Sequence, residues 1–209
     1  LYMLTLEANP EGAAAEFTGG GNHIAGIQIS ISTVPAEGYT FINWTDEDGE
    51  EVSDQASFTY TTTSEHVTLT ANFAPLYTLT LADNPEGAAA ELTGGGDYVE
   101  STQVALNAVP AQGYIFSNWT DEADQEVSSL ASFTYTTTDA DVTLTANFET
   151  AYMLTLAVAG DGDITGDYDI GSHELAAGEE VLLIAESDAE YLFVSWKDAT
   201  GVVSTDAIY

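Results

Sequence analysis

Cysteine is absent from this 209-residue chain, and Lys197 is its only basic residue. Without cysteine there is no disulfide framework, and thiols cannot indicate the redox compartment. Thirty-five acidic residues against that single lysine give a formal net charge of -34 at pH 7. Phosphate recognition requires clustered Lys and Arg, so the composition excludes nucleic-acid binding, and the same charge repels anionic lipid headgroups.

A long apolar run is also missing. No segment approaches the roughly twenty apolar residues that a membrane-spanning helix requires. Neither an initiator Met nor a signal peptide stands at Leu1, so we expect a mature piece or part of a longer protein.

The chain is nevertheless not disordered in composition. Hydrophobic residues make up 44% of it and aromatic residues 11%, which is enough to build a core, so the acidic residues must lie on the surface of a folded protein. Such a surface suits a saline or cation-rich exterior, because salt screens the repulsion between its charges.

The sequence repeats with a period of 75 residues. Tyr2 recurs as Tyr77 and Tyr152, and the first two copies are identical at about 60% of positions, which indicates tandem duplication. We therefore predict three units, at residues 1–75, 76–151 and 152–209, joined by very short linkers. We refer to them below as repeats one, two and three.

Within a repeat the apolar residues recur at every second position. Val67, Leu69, Ala71 and Phe73 alternate with Thr and Asn, as half-buried antiparallel strands do. We expect about six short strands per repeat, with the Ala-rich segment after Asn9-Pro10 a strand rather than a helical turn. The predicted fold class is all-β.

An aromatic block is the most characteristic feature of each repeat. It spans residues Val34–Glu47, Val109–Glu122 and, more loosely, Tyr191–Asp198, and each copy contains one of the three tryptophans. Large rings in this density predict a core. Strict alternation would place Tyr39 and Phe41 opposite Trp44, so we predict a bulge near Asn43 that turns the tryptophan inward.

Repeat three does not contain a counterpart of the last strand, Val67–Phe73. A sheet without that strand would expose an unpaired edge. Two interpretations stay open: the chain continues beyond the residues shown, or a neighbouring chain donates the strand, as in fibre assembly.

The order of these motifs resembles the divergent internalin B-type B-repeats and the related Listeria–Bacteroides repeats. The matching pattern is Tyr-x-Leu-Thr-Leu, a Gly-rich turn, Gly-Tyr-x-Phe-x-x-Trp and Val-Thr-Leu-Thr-Ala-Asn-Phe. Repeat three departs from it at Ser187 and Glu190, which replace the Pro and Gly of the turn. The resemblance implies small β-rich units, β-grasp-like α+β in some members, in stalks of secreted or surface-anchored proteins. It implies no catalytic residues.

One acidic run is a candidate calcium loop. Asp161, Asp163, Asp167 and Asp169 stand at positions 1, 3, 7 and 9 with Gly166 at position 6, and calcium loops supply oxygens at alternate positions. Ser172 replaces the usual Glu at position 12, so a polar hairpin turn is the competing interpretation. We expect no other cofactor, although weak cation binding over the acidic surface is compatible with the sequence.

Asn43 and Asn118 each begin an Asn-Trp-Thr triplet, which fits the acceptor pattern for N-glycosylation. The three histidines, His23, His66 and His173, occupy different places in their repeats, so they predict no shared metal or catalytic role. Small tandem units offer little room for the apolar cleft that a catalytic carboxylate pair requires. We expect no enzymatic activity.

The sequence thus favours a non-catalytic structural spacer in an extracellular stalk, adhesin or filament. Its partners would be neighbouring repeats of the same or adjacent chains. One alternative is an adhesive module that binds a surface glycan or protein through loops or exposed rings such as Tyr98, Tyr135 or Tyr168. A second is a self-assembling extracellular fibre subunit completed by a neighbour's strand.

Overall fold

The structure is a computed structural model that describes residues 1–209. It contains 21 β-strands and no helix. It therefore has no helix long and apolar enough to cross a membrane. The all-β prediction is confirmed, and the α+β variant of the fold is not found.

Repeat one contains eight strands: β1 (Tyr2–Asn9), β2 (Ala14–Thr18), β3 (Gly21–His23), β4 (Gln28–Pro35), β5 (Tyr39–Thr45), β6 (Glu51–Ser53), β7 (Ser57–Thr61) and β8 (Val67–Pro75). They form a five-stranded sheet in the order β3-β1-β8-β5-β6 and a three-stranded sheet in the order β2-β4-β7. The β8 strand lies in the centre of the larger sheet, parallel to β1 and antiparallel to β5.

Repeat two has the same eight elements: β9 (Tyr77–Asn84), β10 (Ala89–Thr93), β11 (Gly96–Tyr98), β12 (Gln103–Pro110), β13 (Tyr114–Thr120), β14 (Glu126–Ser128), β15 (Ser132–Thr136) and β16 (Val142–Leu156). The order of the strands in the two sheets is also the same as in repeat one, namely β11-β9-β16-β13-β14 and β10-β12-β15. The last strand, β16, continues into the first strand of repeat three without a break.

Repeat three adds five strands: β17 (Gly162–Gly166), β18 (Gly171–Ala176), β19 (Leu183–Ser187), β20 (Trp196–Asp198) and β21 (Gly201–Ser204). The β18 strand pairs with the end of β16, β17 pairs with β19, and β20 pairs with β21. No strand corresponds to β8, as the sequence predicts.

When the residues are grouped by how closely they pack, they form two compact units. One consists of Leu1–Thr80, Gly95–Val104 and Thr134–Val142, and the other of the remaining segments. This grouping follows packing rather than the sequence period, because it divides the residues of repeat two.

The expected count of six strands per repeat is wrong, since repeats one and two have eight. The additional strands include β3 and β6, which have three residues each and are too short to show an alternating pattern. The Ala-rich segment forms β2, as expected. The turn before the aromatic block keeps its hydrogen bond in repeat three, although the Pro and Gly of the turn are replaced there. Tyr191 N donates to Asp188 O at 2.9 Å, and in repeat one Tyr39 N donates to Ala36 O at 3.1 Å.

The core of repeat one draws on both sheets. Its buried residues are Leu4, Ala13, Ile31, Trp44, Leu69, Ala71 and Phe73. Three of the seven come from β8, so this strand supplies a large part of the interior as well as the centre of its sheet.

Candidate functional site

Trp44 is the centre of the core in repeat one and is fully buried. Phe41 pairs with Phe73 and Asn43 with Asn72, which leaves Ile42 as the extra residue of a bulge. The bulge lets Phe41 and Trp44 face the same side, with ring centroids 6.2 Å apart. The predicted bulge is confirmed, and it marks this aromatic block as interior rather than as a ligand-stacking surface.

An asparagine ladder crosses the larger sheet of repeat one. Asn9 Nδ2 donates to Asn72 Oδ1 at 2.9 Å, and Asn72 Nδ2 donates to Asn43 Oδ1 at 2.9 Å and to Thr45 Oγ1 at 3.1 Å. Asn43 Nδ2 in turn donates to Glu51 Oε2 at 2.9 Å. Four strands, β1, β8, β5 and β6, are thus linked by side chains, which adds to their backbone bonds.

The same ladder is present in repeat two. Asn84 donates to Asn147 at 2.9 Å, Asn147 donates to Asn118 and Thr120 at 3.0 Å each, and Asn118 donates to Glu126 at 3.2 Å. Sequence reasoning missed this network. The available signal was the recurrence, 75 residues apart, of three asparagines in strand segments that are otherwise rich in Thr, Val, Leu and Ala.

The ladder gives the Asn-Trp-Thr triplets a structural role. In repeat one Asn43 and Thr45 both contact Asn72, while Trp44 between them enters the core. The nitrogen to which a glycan would attach, Asn43 Nδ2, is a donor in the ladder. Glycosylation of Asn43 and Asn118 stays a prediction.

The four aspartates of the candidate calcium run are spread over β17 and the segments on either side of it. Asp161 precedes β17 and Asp167 follows it, so the two are about 20 Å apart at a rise of ~3.3 Å per residue. Asp163 Oδ1 accepts from Ile164 N at 2.8 Å, and Asp167 Oδ2 accepts from Leu182 N at 2.6 Å. Asp169 Oδ1 lies 3.6 Å from His173 Nε2.

The structure therefore does not gather these carboxylates around one point. Nowhere in residues 1–209 do three or more His, Asp or Glu side chains converge in metal-binding geometry. Calcium binding at this run stays a prediction.

The tyrosines proposed as exposed rings are half-buried instead. Tyr98 and Tyr135 are partly covered, and Tyr168 stacks on His173 with ring centroids 4.7 Å apart. Tyr168 also donates from its hydroxyl to Glu179 Oε1 at 3.0 Å, and this bond, with smaller contributions from desolvation and nearby carboxylates, raises the pKa of Tyr168 above its ordinary value of 10.0. The expectation of exposure is therefore wrong. Tyr168, which lies between β17 and β18, packs against the buried cluster of Leu156, Ile164 and Leu183.

The histidines have separate local roles. His23 Nε2 bonds Gly19 O, His66 Nδ1 accepts from Met3 N, and His173 Nε2 bonds Asp169 O, each at 2.9 Å. None of them lies with another histidine in a common site.

Comparison with known proteins agrees with the repeat structure. The family model of the divergent InlB B-repeat domain matches the chain three times in tandem, at residues 2–76, 77–151 and 152–209. No curated protein matches the chain, and no solved structure does. Since the three matches cover nearly all of its residues, the chain belongs to the divergent InlB B-repeat domain family.

Proposed function

We propose that residues 1–209 act as a non-catalytic mechanical spacer in an extracellular surface protein. The divergent InlB B-repeat family consists of extracellular repeat modules that are generally associated with cell-surface proteins and are typically non-enzymatic. The spacer role is supported by how the strands of a repeat are arranged between its two ends.

The first and last strands of repeat one are parallel neighbours. Six residue pairs join β1 to β8, from Leu4 with Val67 to Asn9 with Asn72. A force along the chain enters at the start of β1 and leaves at the end of β8, at opposite ends of this pair. It therefore slides the two strands along each other and loads all of their hydrogen bonds at once. This shear arrangement is the observation that carries the proposal.

The core of repeat one recurs in repeat two. Each of its seven buried residues has a buried counterpart 75 positions later, and only Ile31, which becomes Leu106, changes type. The differences between the two repeats include residues 22–27 and 97–102, which span the ends of β3 and β11 and the turns that follow. A repeat that acts as a spacer depends on the stability of its fold. Its buried residues are therefore expected to stay the same while its surface residues change.

Pulling the chain from its two ends in a single-molecule force experiment tests the spacer role. We expect two unfolding events of equal length from repeats one and two, each releasing up to about 270 Å at ~3.6 Å per residue. Extension without resolved unfolding events would contradict a mechanical role.

A further inference from the structure

One edge strand of each three-stranded sheet carries no charge. In the order β2-β4-β7 the strand β7 pairs with β4 and has no strand on its other side, and β15 has the same place in repeat two. The segment Ala56–Thr63, which contains β7, is identical in sequence to Ala131–Thr138, which contains β15. Neither segment contains Asp, Glu, Lys, Pro or Gly.

The other edge strands of repeats one and two differ from these two strands. Charged side chains on an edge strand keep it from pairing with another chain. Five of the edge strands carry one acidic residue each: Glu16 in β2, Glu51 in β6, Glu91 in β10, Asp97 in β11 and Glu126 in β14. The strand β3 carries none, but it has only three residues. A chain with a net charge of -34 thus leaves β7 and β15 without this protection.

The backbone of β7 presents free hydrogen-bonding groups along its outer side. At the two ends of the strand, Ala56 O accepts from Thr33 N at 3.1 Å and Thr62 N donates to Ile27 O at 2.9 Å. Because bonded residues alternate along an antiparallel pair, the even-numbered residues of β7 bond towards β4. The odd-numbered residues direct their N–H and C=O groups away from β4, and these residues are Ser57, Thr59 and Thr61.

The open edge does not depend on where the sequence begins or ends. Ser57, Thr59 and Thr61 are exposed, and their three counterparts in β15 are exposed as well. Repeat two has a repeat before it and a repeat after it in the same chain. The exposed edge is therefore a property of the repeat itself.

We propose that this edge, β7 in repeat one and β15 in repeat two, pairs antiparallel with the same edge of a second copy of the chain. In the register that places Thr59 opposite Thr59 of the second copy, Ser57 lies opposite Thr61. The outward N–H and C=O groups of all three residues are then bonded. The proposal goes beyond the spacer role, which concerns a single chain.

The side chains of β7 fit a second copy of the same strand. Phe58 and Tyr60 are half-buried, with ring centroids 6.4 Å apart. In the same register Phe58 lies opposite Tyr60 of the second copy, and aromatic cross-strand pairs stabilise antiparallel strands. Pairing of β2 with its own copy would instead bring acidic residues together, because β2 carries Glu16. Self-complementarity and the absence of charge thus both favour β7.

Salt is expected to control the pairing. Two copies repel each other through a net charge of -34 each, and Asp54 and Glu65 lie close to the two ends of the uncharged segment. At 1 M ionic strength the Debye length is ~3 Å, so repulsion between the exposed carboxylates is largely screened. The pairing therefore belongs to a saline exterior and weakens as the salt is diluted.

Sedimentation velocity of the whole chain in 1 M NaCl tests the proposal. We expect the average mass to rise with protein concentration above that of a single chain. Thr59→Glu with Thr134→Glu places like charges opposite each other in the pair, and this double variant is expected to weaken association at least about tenfold. Both threonines are exposed, so the fold is expected to be retained, which circular dichroism checks.

The matched control adds the same charge to the opposite edges of the same sheets. Thr18→Glu with Thr93→Glu alters exposed threonines of β2 and β10 and is expected to change association less than about twofold. Hydrogen exchange gives a second readout. The amides of Ser57, Thr59 and Thr61 are expected to gain protection as the protein concentration rises, whereas those of Phe58 and Tyr60 are already protected in the single chain.

Three results would overturn the proposal. The first is a single chain at every protein concentration in 1 M NaCl. The second is equal weakening of association by the two double variants. The third is association without added protection of the odd-numbered amides of β7 and β15, which would place the contact elsewhere in the chain.

Discussion

At the scale of single residues, the burial of the tryptophan in each repeat shows how complete the core of that repeat is. Trp44 contacts Phe17, Phe41 and Phe58 with ring centroids 5.9 to 6.2 Å apart. Aromatic pairs at these distances add to the free energy gained by burial. Burial of the ring could be predicted from the sequence, since the density of aromatic residues around it is typical of a core.

Trp44→Ala is expected to lower the free energy of unfolding of repeat one by about 3–5 kcal/mol, because the ring is buried and the cavity cannot close completely. Urea unfolding followed by the NMR signals of repeat one measures the change. Trp196→Ala, at a half-buried site, is expected to cost less. A loss below about 1 kcal/mol for Trp44→Ala would show that the ring is not part of the core.

The asparagine ladder could not be predicted in the same way. Asn disfavours strands in general, so Asn9, Asn43 and Asn72 do not stand out until the register brings them side by side. The register depends on a parallel pairing between the first and last strands, which local patterns do not show.

Asn72→Ala removes the centre of the ladder and leaves the amides of Asn9 and Asn43 without their partner. We expect a loss of about 1–3 kcal/mol in the free energy of unfolding of repeat one. Asn22→Ala, at an exposed residue of β3, serves as the control and is expected to change stability by less than about 0.5 kcal/mol. Equal effects of the two substitutions would mean that the ladder adds nothing.

At the scale of elements, alternation identified the long strands and its interruption identified the bulge near Asn43, whereas the three-residue strands could not be found. The sheet order β3-β1-β8-β5-β6 was not predictable because it joins segments more than sixty residues apart. Turn chemistry was more accessible. Asp46 Oδ1 accepts from Asp48 N and Glu50 N at the tip of the β5–β6 hairpin, and Asp121 Oδ1 accepts from Ala123 N and Gln125 N at the same place in repeat two.

The turn between β20 and β21 is expected to be sensitive to acid. Asp198 Oδ1 accepts from Thr200 Oγ1, Thr200 N and Gly201 N, and these bonds, that of the Thr200 hydroxyl first, lower the pKa of Asp198 below its ordinary value of 3.8. A depressed pKa means that the charged carboxylate stabilises the folded turn above the ordinary pKa, and that this contribution is lost as the pH falls through the folded-state pKa.

Amide chemical shifts of Thr200 and Gly201 in an acid titration measure this effect. The expected midpoint lies below 3.8 in the unmodified chain, and the transition is absent in Asp198→Asn, which keeps an acceptor oxygen but cannot titrate. A midpoint at or above 3.8 would show that the carboxylate is not held by the turn.

At the scale of the whole molecule, the 75-residue duplication and the all-β class followed from the sequence, because repetition and alternation need no knowledge of long-range pairing. The consequences of the missing strand in repeat three needed the structure. Only the structure shows that residues 157–164 and 191–197 border a cavity of about 630 Å³ in repeat three.

The net charge of -34 predicts a stabilising effect of salt. Between 0.1 M and 1 M NaCl the Debye length falls from ~10 Å to ~3 Å, which weakens repulsion among the surface carboxylates. We expect the midpoint of thermal unfolding, followed by circular dichroism, to rise with NaCl and to be unaffected by EDTA at constant ionic strength. Destabilisation by EDTA would indicate a specific calcium site instead of general screening.

The parallel pairing of β1 and β8 is expected to make a repeat resistant to force. Because the chain has no cysteine, handles can be attached at chosen positions. Leu1→Cys with Pro75→Cys loads β1 and β8 in shear. Glu37→Cys with Pro75→Cys pulls β5 and β8 apart from the end where Tyr39 pairs with Pro75, so their bonds break one after another. We predict a several-fold higher unfolding force for the first pair of handles than for the second. Equal forces would show that the parallel pair of strands gives no resistance to shear.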